Sequence, residues 1–480
     1  MRDVTGEVQV LGFVEALEVV LHHAARVRVT GAEKVGLLAS AGRVLAEEVR
    51  ADRDQPAFDR ATRDGFAVRA AEWAAGRRLR VAGLVRAGET WAGKALSSGE
   101  AVEIMTGAAV PSGADAVAMV EHAELGEGLV WAAAGRGLSA EENIVRRASE
   151  ARSGESLLAA GRAMGAAEIA LAAACGCAEI AVRKRPVVAI VATGDELVEV
   201  EETPGDSQIR NSNGTALAAM VEAAGGEARR LAIARDSRES LQERIAEGRG
   251  SDLLLLSGGV SVGKYDLVEE VLAEFGAEFF FRGVRMQPGR PVVFGRLRKA
   301  ASQRDSESAS QQDSESASQQ DSESASQRDS ESASQQDSES ASQQDSESAS
   351  QQDSESASQR VGELADAREW VYFFGLPGNP VSTLVTFQCF VGPMLRALCG
   401  AGAEGPRFVQ ATLADEVKGK AGLTRILPAI LRHDLERPEV RIVGWQGSGD
   451  LAANARANCY AVLADGRDYN SGDVISVLLR

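Results

Sequence analysis

The chain has 480 residues, of which 44% are hydrophobic and 25% are charged, and its formal net charge is −18. This length suggests three or four domains with room for several hydrophobic cores. A net charge of −12 belongs to residues 302–357, where the octapeptide SQ(Q/R)DSESA is repeated seven times, so the other 424 residues carry only −6. That balance argues against a protein whose main task is to neutralise nucleic-acid phosphates.

The N-terminal part of the chain predicts two helices and then a loop. Apolar residues share one face of a predicted helix over 13–27. His22 and His23 in this helix are expected to lie at the surface or to pack between helices rather than to bind a ligand. A second helix is predicted over 32–45. The Asp- and Arg-rich loop that follows leads into a predicted strand at 65–68.

The next stretch changes to β character. Short apolar runs between residues 79 and 131 are separated by Gly, Pro and Ser, which predicts a small strand-rich domain. An Ala-rich helix is predicted over 164–175. Cys175 and Cys177 are interpreted as buried small residues, because no matching His or Cys pair accompanies them to form a metal site.

From residue 186 onward, apolar strands alternate with helices. The continuous apolar run 186–192 is typical of a buried parallel strand, and a helix over 214–224 follows the capping cluster Asn211-Ser212-Asn213. The alternation continues through a helix over 238–247, a strand at 253–259, a helix over 266–275, a strand at 371–375 and a helix that ends before Gly400. This pattern predicts a doubly wound α/β sheet whose ligand crevice lies at the carboxyl ends of its strands.

The octapeptide tract 302–357 interrupts this α/β pattern. It lacks aromatic residues, β-branched residues and apolar periodicity, so it cannot repay the entropy of ordering, and we expect a disordered, inert insertion. A regulated or partner-binding Ser-rich loop is the alternative. After residue 401, short β-like runs predict a small C-terminal β domain.

The sequence therefore predicts a multidomain α/β and β protein. Its predicted parts are a helical N-terminal domain in two pieces (7–49 and 149–183), an inserted β-rich domain (50–148), an α/β domain (184–400) carrying the insertion (302–357), and a C-terminal β-rich domain (401–480).

No segment indicates a membrane or secreted protein. The strongest apolar runs, 186–192 and 253–256, are far shorter than the roughly 20 residues that cross a bilayer. The first residues lack a basic region followed by an apolar stretch, and the five scattered cysteines do not suggest a disulfide framework. We expect a cytoplasmic protein that binds neither membranes nor nucleic acid.

Two Gly-containing turns follow apolar strands of the α/β part. One turn is Thr193-Gly194-Asp195-Glu196, and the other is Ser257-Gly258-Gly259-Val260-Ser261. Glycines at such positions let the backbone approach a phosphate or a flat ring, and a helix N-terminus favours negative charge. Neither turn matches the P-loop or the dinucleotide fingerprint, which argues against an ATPase and against a dehydrogenase.

Acidic residues stand beside these turns. Asp195, Glu196 and Asp266 would repel a phosphate unless a divalent cation bridged them, and Mg²⁺ takes one or two carboxylates with phosphate oxygens and water. The alternative is that Glu196 and Asp266 cap helices.

Two further segments have both a structural and a functional interpretation. Pro377-Gly378-Asn379-Pro380 forms a rigid turn that can present carbonyls and amides to a ligand, or it only connects a strand to a helix. Asp59 and Asp64 lie in an acidic loop that, taken alone, could be structural.

Seven segments in order resemble the MoeA/gephyrin family, the molybdopterin molybdenumtransferases. They are PAFDRATRDGFAV, IMTGAAVPSGAD, ATGDEL, LLLSGGVSVGKYD, QPGRPVVFG, GLPGNPVS, and QGSG with ANC near the end. They span nearly the whole chain except the octapeptide tract.

The resemblance implies a fold and an activity. The expected fold has a molybdopterin-binding, MogA-like α/β domain, a β-rich domain inserted in a helical one, and a small C-terminal β domain, assembled as a homodimer. The expected substrates are adenylylated molybdopterin and molybdate. The expected reaction hydrolyses the adenylyl linkage with Mg²⁺, inserts the metal and releases AMP. The resemblance also implies that the protein contacts the molybdopterin adenylyltransferase.

The resemblance also assigns site residues by motif. The expected catalytic residues are Asp59, Glu196, Asp236 and Asp266, of which Glu196 and Asp266 would bind Mg²⁺. The expected substrate-binding residues are Thr106, Thr193, Gly194, Ser257, Gly258, Gly259, Ser261, Arg290, Pro377, Gly378, Asn379 and Pro380. Lys264 and Arg285 would join Arg290 in holding phosphates. Asp59 and Asp236 are both candidates for activating water.

The chain departs from the family pattern at several positions. These are Arg60, Arg63, Gln287, Leu423, Ala452 and Ala453. Gln287 replaces a cation, and Arg60 and Arg63 are candidates to compensate for lost charge beside molybdate. Two other functions stay open, a non-catalytic pterin-binding scaffold and a tungstate-selective paralogue.

Overall fold

The structure is a computed structural model that describes residues 10–259, 267–299, 369–432 and 437–480. The chain divides into two compact units, one of which is Lys34–Val182, while the flanking residues form the other. The predictions for the octapeptide tract 302–357, and those for Ser261, Lys264 and Asp266, concern residues outside the described ranges.

A six-stranded sheet forms the centre of the unit Lys34–Val182. Its strands lie in the order Ala116–Met119, Gly65–Val68, Glu100–Ile104, Leu79–Val85, Leu129–Ala132 and Ala123–Gly126. The strand predicted at 65–68 is confirmed. Phe66, Val68 and Trp73 are buried on the sheet, and glycine-containing turns connect short strands, as the sequence pattern predicted.

The helix predicted over 32–45 is wrong. Ala32–Gly36 is a strand that pairs with Glu179–Arg183, and a single 3₁₀ turn, Leu37–Ser40, follows it. Gly42 has a positive φ of 73°, which ends any helical run at that position. The Ala-rich helix is confirmed over Ala166–Ala174, and two two-stranded pairs complete this unit: Val49–Arg50 with Ser156–Leu158, and Arg60–Ala61 with Ile144–Val145.

A second six-stranded sheet forms the centre of the other unit. Its strands lie in the order Glu227–Arg230, Val187–Ala192, Leu253–Ser257, Trp370–Leu376, Val293–Arg298 and Glu278–Arg282. The first four are parallel, with Val188 opposite Leu253 and Leu253 opposite Tyr372. The strand Val293–Arg298 runs antiparallel to both of its neighbours, Trp370–Leu376 and Glu278–Arg282, so the doubly wound sheet is mixed.

Helices connect the parallel strands as the sequence predicted. They are Ser212–Ala223, Arg238–Gly248 and Leu267–Glu274. The side chain of Asn211 caps the first helix by accepting a hydrogen bond of 2.9 Å from the Gly214 N–H, and Ser237 caps the second. Buried aliphatic residues from both helices and strands form a continuous core beneath the sheet.

Two more helices pack against each other in this unit. Phe13–Ala24 contacts the helix Pro380–Leu398, with the ring centroids of Phe13 and Phe390 6.0 Å apart. Among the described residues, Pro380–Leu398 is the one helix long and apolar enough to cross a membrane, but 83% of its apolar window is buried inside the protein, as in a core helix. His23 packs rather than binds a ligand, because it stacks on Phe280 at 3.8 Å and burial lowers its pKa to about 4.

The C-terminal residues form a closed ring of five strands. Their order is Thr424–Arg432, Glu439–Ile442, Phe408–Leu413, Val474–Leu479 and Cys459–Leu463, and the last strand pairs again with the first. The strand Val284–Gln287 also pairs with Thr424–Arg432, which places the turn at residues 287–290 between the α/β sheet and the C-terminal strands.

Candidate functional site

A cavity of about 470 Å³ lies where the strands Val187–Ala192, Leu253–Ser257 and Trp370–Leu376 end. The carboxyl ends of parallel strands are the usual ligand-binding edge of such a sheet. The lining residues named by the sequence analysis are Thr193, Gly194, Glu196, Asp236, Ser257, Gly258, Gly259, Pro377, Gly378, Asn379 and Pro380. The structure therefore brings together turns that are nearly 200 residues apart in the sequence.

The turn after the first strand supplies a carboxylate and a buried hydroxyl. Gly194 has a φ of 146°, and a Cβ atom there would lie 2.3 Å from Oε2 of Glu196, so the Glu196 carboxylate folds over the Gly194 backbone. Thr193 is 97% buried, and its Oγ1 has no hydrogen-bond partner among the described residues. A buried polar atom without a partner is costly, which makes this hydroxyl available to a ligand in the cavity.

The turn after the second strand requires its glycines. Gly258 and Gly259 have φ values of 97° and 66°, and a Cβ atom on Gly258 would lie 2.6 Å from the carbonyl oxygen of Thr193. A Cβ atom on Gly259 would lie 2.6 Å from Val268 and 2.8 Å from Thr193 Oγ1. The two strand-end turns therefore touch each other, and only glycine fits between them.

The third turn is fixed from both sides. Thr383 donates its hydroxyl to the carbonyl oxygen of Pro377, and the Val381 N–H donates to the carbonyl oxygen of Ser448 at 2.9 Å. These contacts hold Gly378 and Asn379 exposed at the cavity edge. The rigid turn predicted from the prolines is therefore part of the cavity wall and also the start of a helix.

Asn213 connects the turns and was missed as a site residue. Its side-chain amide donates to Ser257 Oγ at 3.1 Å and to the carbonyl oxygen of Gly378 at 2.7 Å. The sequence pattern indicates only a helix cap at Asn211, Ser212 and Asn213. Asn211 performs that role alone, which leaves Asn213 free to join the second and third turns.

Arg210 and Pro291 also line the cavity and were missed. In the described part of the chain, the charged residues of the lining are Glu196, Asp236 and Arg210, and all three are exposed. Asp236 makes no ion pair within the described part of the chain, and its N–H donates to Asp195 at 3.2 Å. The described lining thus combines two carboxylates, one guanidinium and several backbone amides.

Two predicted cations lie away from the cavity lining. Arg285 donates a hydrogen bond to the carbonyl oxygen of Val10 at 2.9 Å and forms an ion pair with Glu15 at 3.5 Å, so its charge is already paired. Arg290 does not line the cavity, although the next residue does. At the family departure Gln287, Lys420 Nζ lies 3.4 Å from the side-chain oxygen, so a lysine from the C-terminal domain reaches this turn.

Asp59 lies in the unit Lys34–Val182 and is held as a carboxylate. It accepts hydrogen bonds from Nη1 of Arg146 at 2.5 Å and from the Arg147 N–H at 2.8 Å. Burial raises the pKa of Asp59, but these two bonds outweigh burial, so its pKa lies below the ordinary value.

Thr106 lies in the same unit as Asp59 and is bound to Asp64. The Thr106 N–H and hydroxyl donate to Oδ1 of Asp64 at 2.7 and 2.8 Å, which lowers the pKa of Asp64. Asp64 therefore fixes the turn that carries Thr106, a role that the sequence analysis did not assign.

The two arginines expected to compensate for lost charge differ in their partners. Arg60 pairs with Glu150 at 3.0 Å, while Arg63 donates only a long hydrogen bond of 3.4 Å to the Thr62 carbonyl oxygen. Within the described residues, Arg63 is therefore the one of the two whose charge is not paired with a carboxylate.

The donor set of the cavity fits a magnesium ion that is shared with a substrate. No group of three or more His, Cys, Asp and Glu side chains that could hold a metal occurs among the described residues. Glu196 and Asp236 nevertheless supply carboxylates, and Mg²⁺ is usually held by one or two carboxylates with substrate phosphates and water.

Three family models match successive parts of the chain. Residues 11–176 match the MoeA N-terminal region (domain I and II), residues 189–397 match the probable molybdopterin binding domain, and residues 410–479 match the MoeA C-terminal region (domain IV). The lining residues of the cavity, from Ala192 to Pro380, all lie within the second of these regions.

Curated relatives and solved structures agree with these matches. The molybdopterin molybdenumtransferase of Nostoc sp. (strain PCC 7120) is 31% identical over 456 residues, covering 93% of this chain and 88% of the relative. The protein of the same name from Staphylococcus aureus (strain Mu50) is 29% identical, covering 93% and 90%. A crystal structure of a molybdopterin biosynthesis MoeA protein from Pyrococcus horikosii is 26% identical with a TM-score of 0.66, covering 98% of this chain and 99% of that one.

Proposed function

The chain belongs to the MoeA family of molybdenum cofactor biosynthesis, and from this premise we propose that it is a molybdopterin molybdenumtransferase. The proposed reaction takes adenylylated molybdopterin and molybdate, cleaves the adenylyl linkage, inserts molybdenum and releases AMP. The observation that carries the proposal is the single cavity formed by the turns at Thr193–Glu196, Ser257–Gly259 and Pro377–Pro380.

The cavity suits a substrate that joins flat rings through a pyrophosphate. Backbone N–H groups of glycine turns and the N-terminus of the helix Ser212–Ala223 attract phosphate oxygens. Thr193 offers a buried hydroxyl for a further hydrogen bond. Pro291, Pro377 and Pro380 give the wall rigid apolar faces against which a ring can lie.

Magnesium is part of the proposal. Glu196 would hold the ion, together with Asp266, which lies outside the described residues. Asp236 also lines the cavity. When bound, the ion supplies charge stabilisation at the phosphate oxygens.

Asp236 is the better candidate for orienting the attacking water. Asp59 already accepts hydrogen bonds from Arg146 and Arg147 that stabilise its charged form and lower its pKa, so it is a poor acceptor for a further proton. The Asp236 carboxylate has no such partner among the described residues and lines the cavity. We assign Asp59 to holding Arg146 and the loop around Arg147.

The proposal also covers assembly and location. We propose a homodimer in the cytoplasm that receives its substrate from the molybdopterin adenylyltransferase. The five cysteines are all free, which suits a reducing compartment. The mass in solution, measured by light scattering, tests the dimer, and a mass of one chain would contradict it.

The activity is tested by following AMP release from adenylylated molybdopterin with Mg²⁺ and molybdate, with tungstate, and with no oxyanion. Release that requires molybdate supports the proposal. Release that requires tungstate would indicate a tungstate-selective enzyme, and tight substrate binding without release would indicate a scaffold.

A further inference from the structure

Among the described residues, Arg210 is the one cation that lines the cavity, beside the carboxylates of Glu196 and Asp236. It follows a loop, residues 199–208, that is rich in acidic side chains. No carboxylate lies within ion-pair distance of Arg210 in the described ranges, although arginines elsewhere in this unit pair with neighbouring carboxylates, as Arg229 pairs with Glu247. The charge of Arg210 is therefore available to something outside the protein.

The geometry of Arg210 fixes one edge of its guanidinium and leaves the other open. Its Nε donates to the carbonyl oxygens of Val200 and Glu202, at 3.0 and 3.1 Å. Nη1 and Nη2 have no partner among the described residues. A guanidinium held in this way keeps its plane while presenting two parallel N–H donors, the arrangement that binds phosphate in bidentate fashion.

The neighbouring backbone favours the same ligand. Arg210 precedes the helix Ser212–Ala223, whose first N–H groups have no partners inside the helix. Asn211 caps only the Gly214 N–H, while Ser212 and Asn213 line the cavity beside Arg210. A cation and a helix N-terminus at one place both attract an anion.

We propose that Arg210 binds a phosphate group of the substrate at the N-terminal end of the helix Ser212–Ala223. This assignment rests on the proposed function, since it names a residue for the pyrophosphate of that substrate. It predicts that the phosphates lie at the helix end of the cavity, so the loop 199–208 sets how the substrate is oriented.

The alternative role for Arg210 is to hold the loop 199–208 in place, and a matched control separates the two. Arg230 holds the same loop through an ion pair with Glu199, but it does not line the cavity. Arg230→Gln therefore removes a loop contact without removing a cavity charge, whereas Arg210→Gln removes both. Arg210→Lys keeps a positive charge but loses the two parallel N–H donors that allow bidentate binding.

The test measures the KM for adenylylated molybdopterin in AMP release and, separately, binding of inorganic pyrophosphate and AMP by calorimetry. A hydrogen bond to a charged group is worth a factor of roughly 10 to 100. We expect Arg210→Gln to raise KM and weaken pyrophosphate binding by about that factor with little change in kcat. Arg210→Lys should have a KM and a pyrophosphate affinity between those of the wild type and Arg210→Gln. Arg230→Gln should change either value by less than about twofold.

The outcomes separate this assignment from the proposed function. If the wild type is active and Arg210→Gln and Arg230→Gln have the same KM and the same pyrophosphate affinity, the role of Arg210 is overturned. The proposed function then stays intact. A wild type that releases no AMP would contradict the function, and the pyrophosphate titration would then decide the role of Arg210. The role of Arg210 would be overturned if the wild type did not bind pyrophosphate, or if Arg210→Gln bound pyrophosphate as tightly as the wild type.

Discussion

The side-chain amide of Asn213 donates a hydrogen bond of 2.7 Å to the carbonyl oxygen of Gly378, across 165 residues of sequence. The same amide donates to Ser257 Oγ at 3.1 Å. One side chain at the start of a helix therefore connects the turns that follow two parallel strands. This connection fixes the width of the cavity that both turns line.

We predict that Asn213→Ala loosens the cavity. The substitution leaves the Ser257 hydroxyl and the Gly378 carbonyl without these partners, which costs about 1–3 kcal/mol of stability. We expect a higher KM for the substrate, since the turns are no longer held together. Asn458→Ala is the control, because Asn458 makes two hydrogen bonds to the Leu431 backbone in the C-terminal ring, away from the cavity.

Chemical denaturation and substrate titration check this prediction together. Both variants should lose comparable stability, and only Asn213→Ala should bind substrate more weakly. Equal KM values for Asn213→Ala and the wild type would show that the turns keep their positions without this side chain.

Gly259 is predicted to tolerate no side chain for a steric reason. Gly259 and Gly276 have φ values of 66° and 71°, so alanine at either position pays a similar left-handed backbone cost of about 1–2 kcal/mol. A Cβ atom at Gly259 would meet Val268 at 2.6 Å, whereas at Gly276 nothing lies within 4 Å. We therefore expect Gly259→Ala to lower the melting temperature more than Gly276→Ala does, and to impair turnover.

The comparison of Gly259→Ala with Gly276→Ala isolates the overlap from the backbone strain. Calorimetric melting curves and kcat/KM are the measurements. If the two alanine variants had the same stability and the same kcat/KM, overlap with Val268 and Thr193 could not be the reason for glycine at position 259.

Glu196→Gln is predicted to lose most activity and to require more Mg²⁺. The neutral amide keeps the size of the side chain but removes the charge that a cation needs, so we expect AMP release to fall by roughly 100-fold. Glu201→Gln is the control, because Glu201 is exposed on the neighbouring loop and does not line the cavity. A Mg²⁺ titration of the rate that is identical for Glu196→Gln and the wild type would exclude Glu196 from the metal site.

Asp59 is predicted to titrate below the ordinary range of an aspartate. Because its folded-state pKa is lowered, its contribution to stability is present above the unfolded-state pKa and is lost as the pH falls through the folded-state value. Arg146→Gln removes one of the two stabilising donors and should raise the pKa of Asp59 while the bond from the Arg147 N–H remains. NMR titration of the carboxyl carbon measures the change, and an unaltered pKa in Arg146→Gln would contradict this account.

The strand-end turns could be predicted from the sequence for a clear reason. A continuous apolar run followed by glycine and small polar residues has few structural interpretations, so the positions of Thr193, Gly194, Ser257 and Gly258 followed directly. The resemblance to a family added Asp236, whose surrounding segment has no such pattern. In the structure it lines the same cavity.

The contacts between turns could not be predicted in the same way. Asn213 and Arg210 lie beside a helix cap, and their sequence context is fully explained by the cap alone. Only the approach of Gly378 and of the Val200 carbonyl oxygen in three dimensions reveals their second role. Similarly, the helix predicted over 32–45 failed because residues 32–36 gain hydrogen bonds from the distant strand Glu179–Arg183. That pairing has no local signal.

The central claim is that the cavity at the three strand ends cleaves adenylylated molybdopterin as molybdenum is inserted. The most direct measurement is the rate of AMP release by the wild type with Mg²⁺, with and without molybdate, beside Glu196→Gln and Glu201→Gln. We predict release that requires molybdate, falls steeply in Glu196→Gln and is unchanged in Glu201→Gln. Release that is independent of molybdate, or equally fast in Glu196→Gln, would contradict the claim.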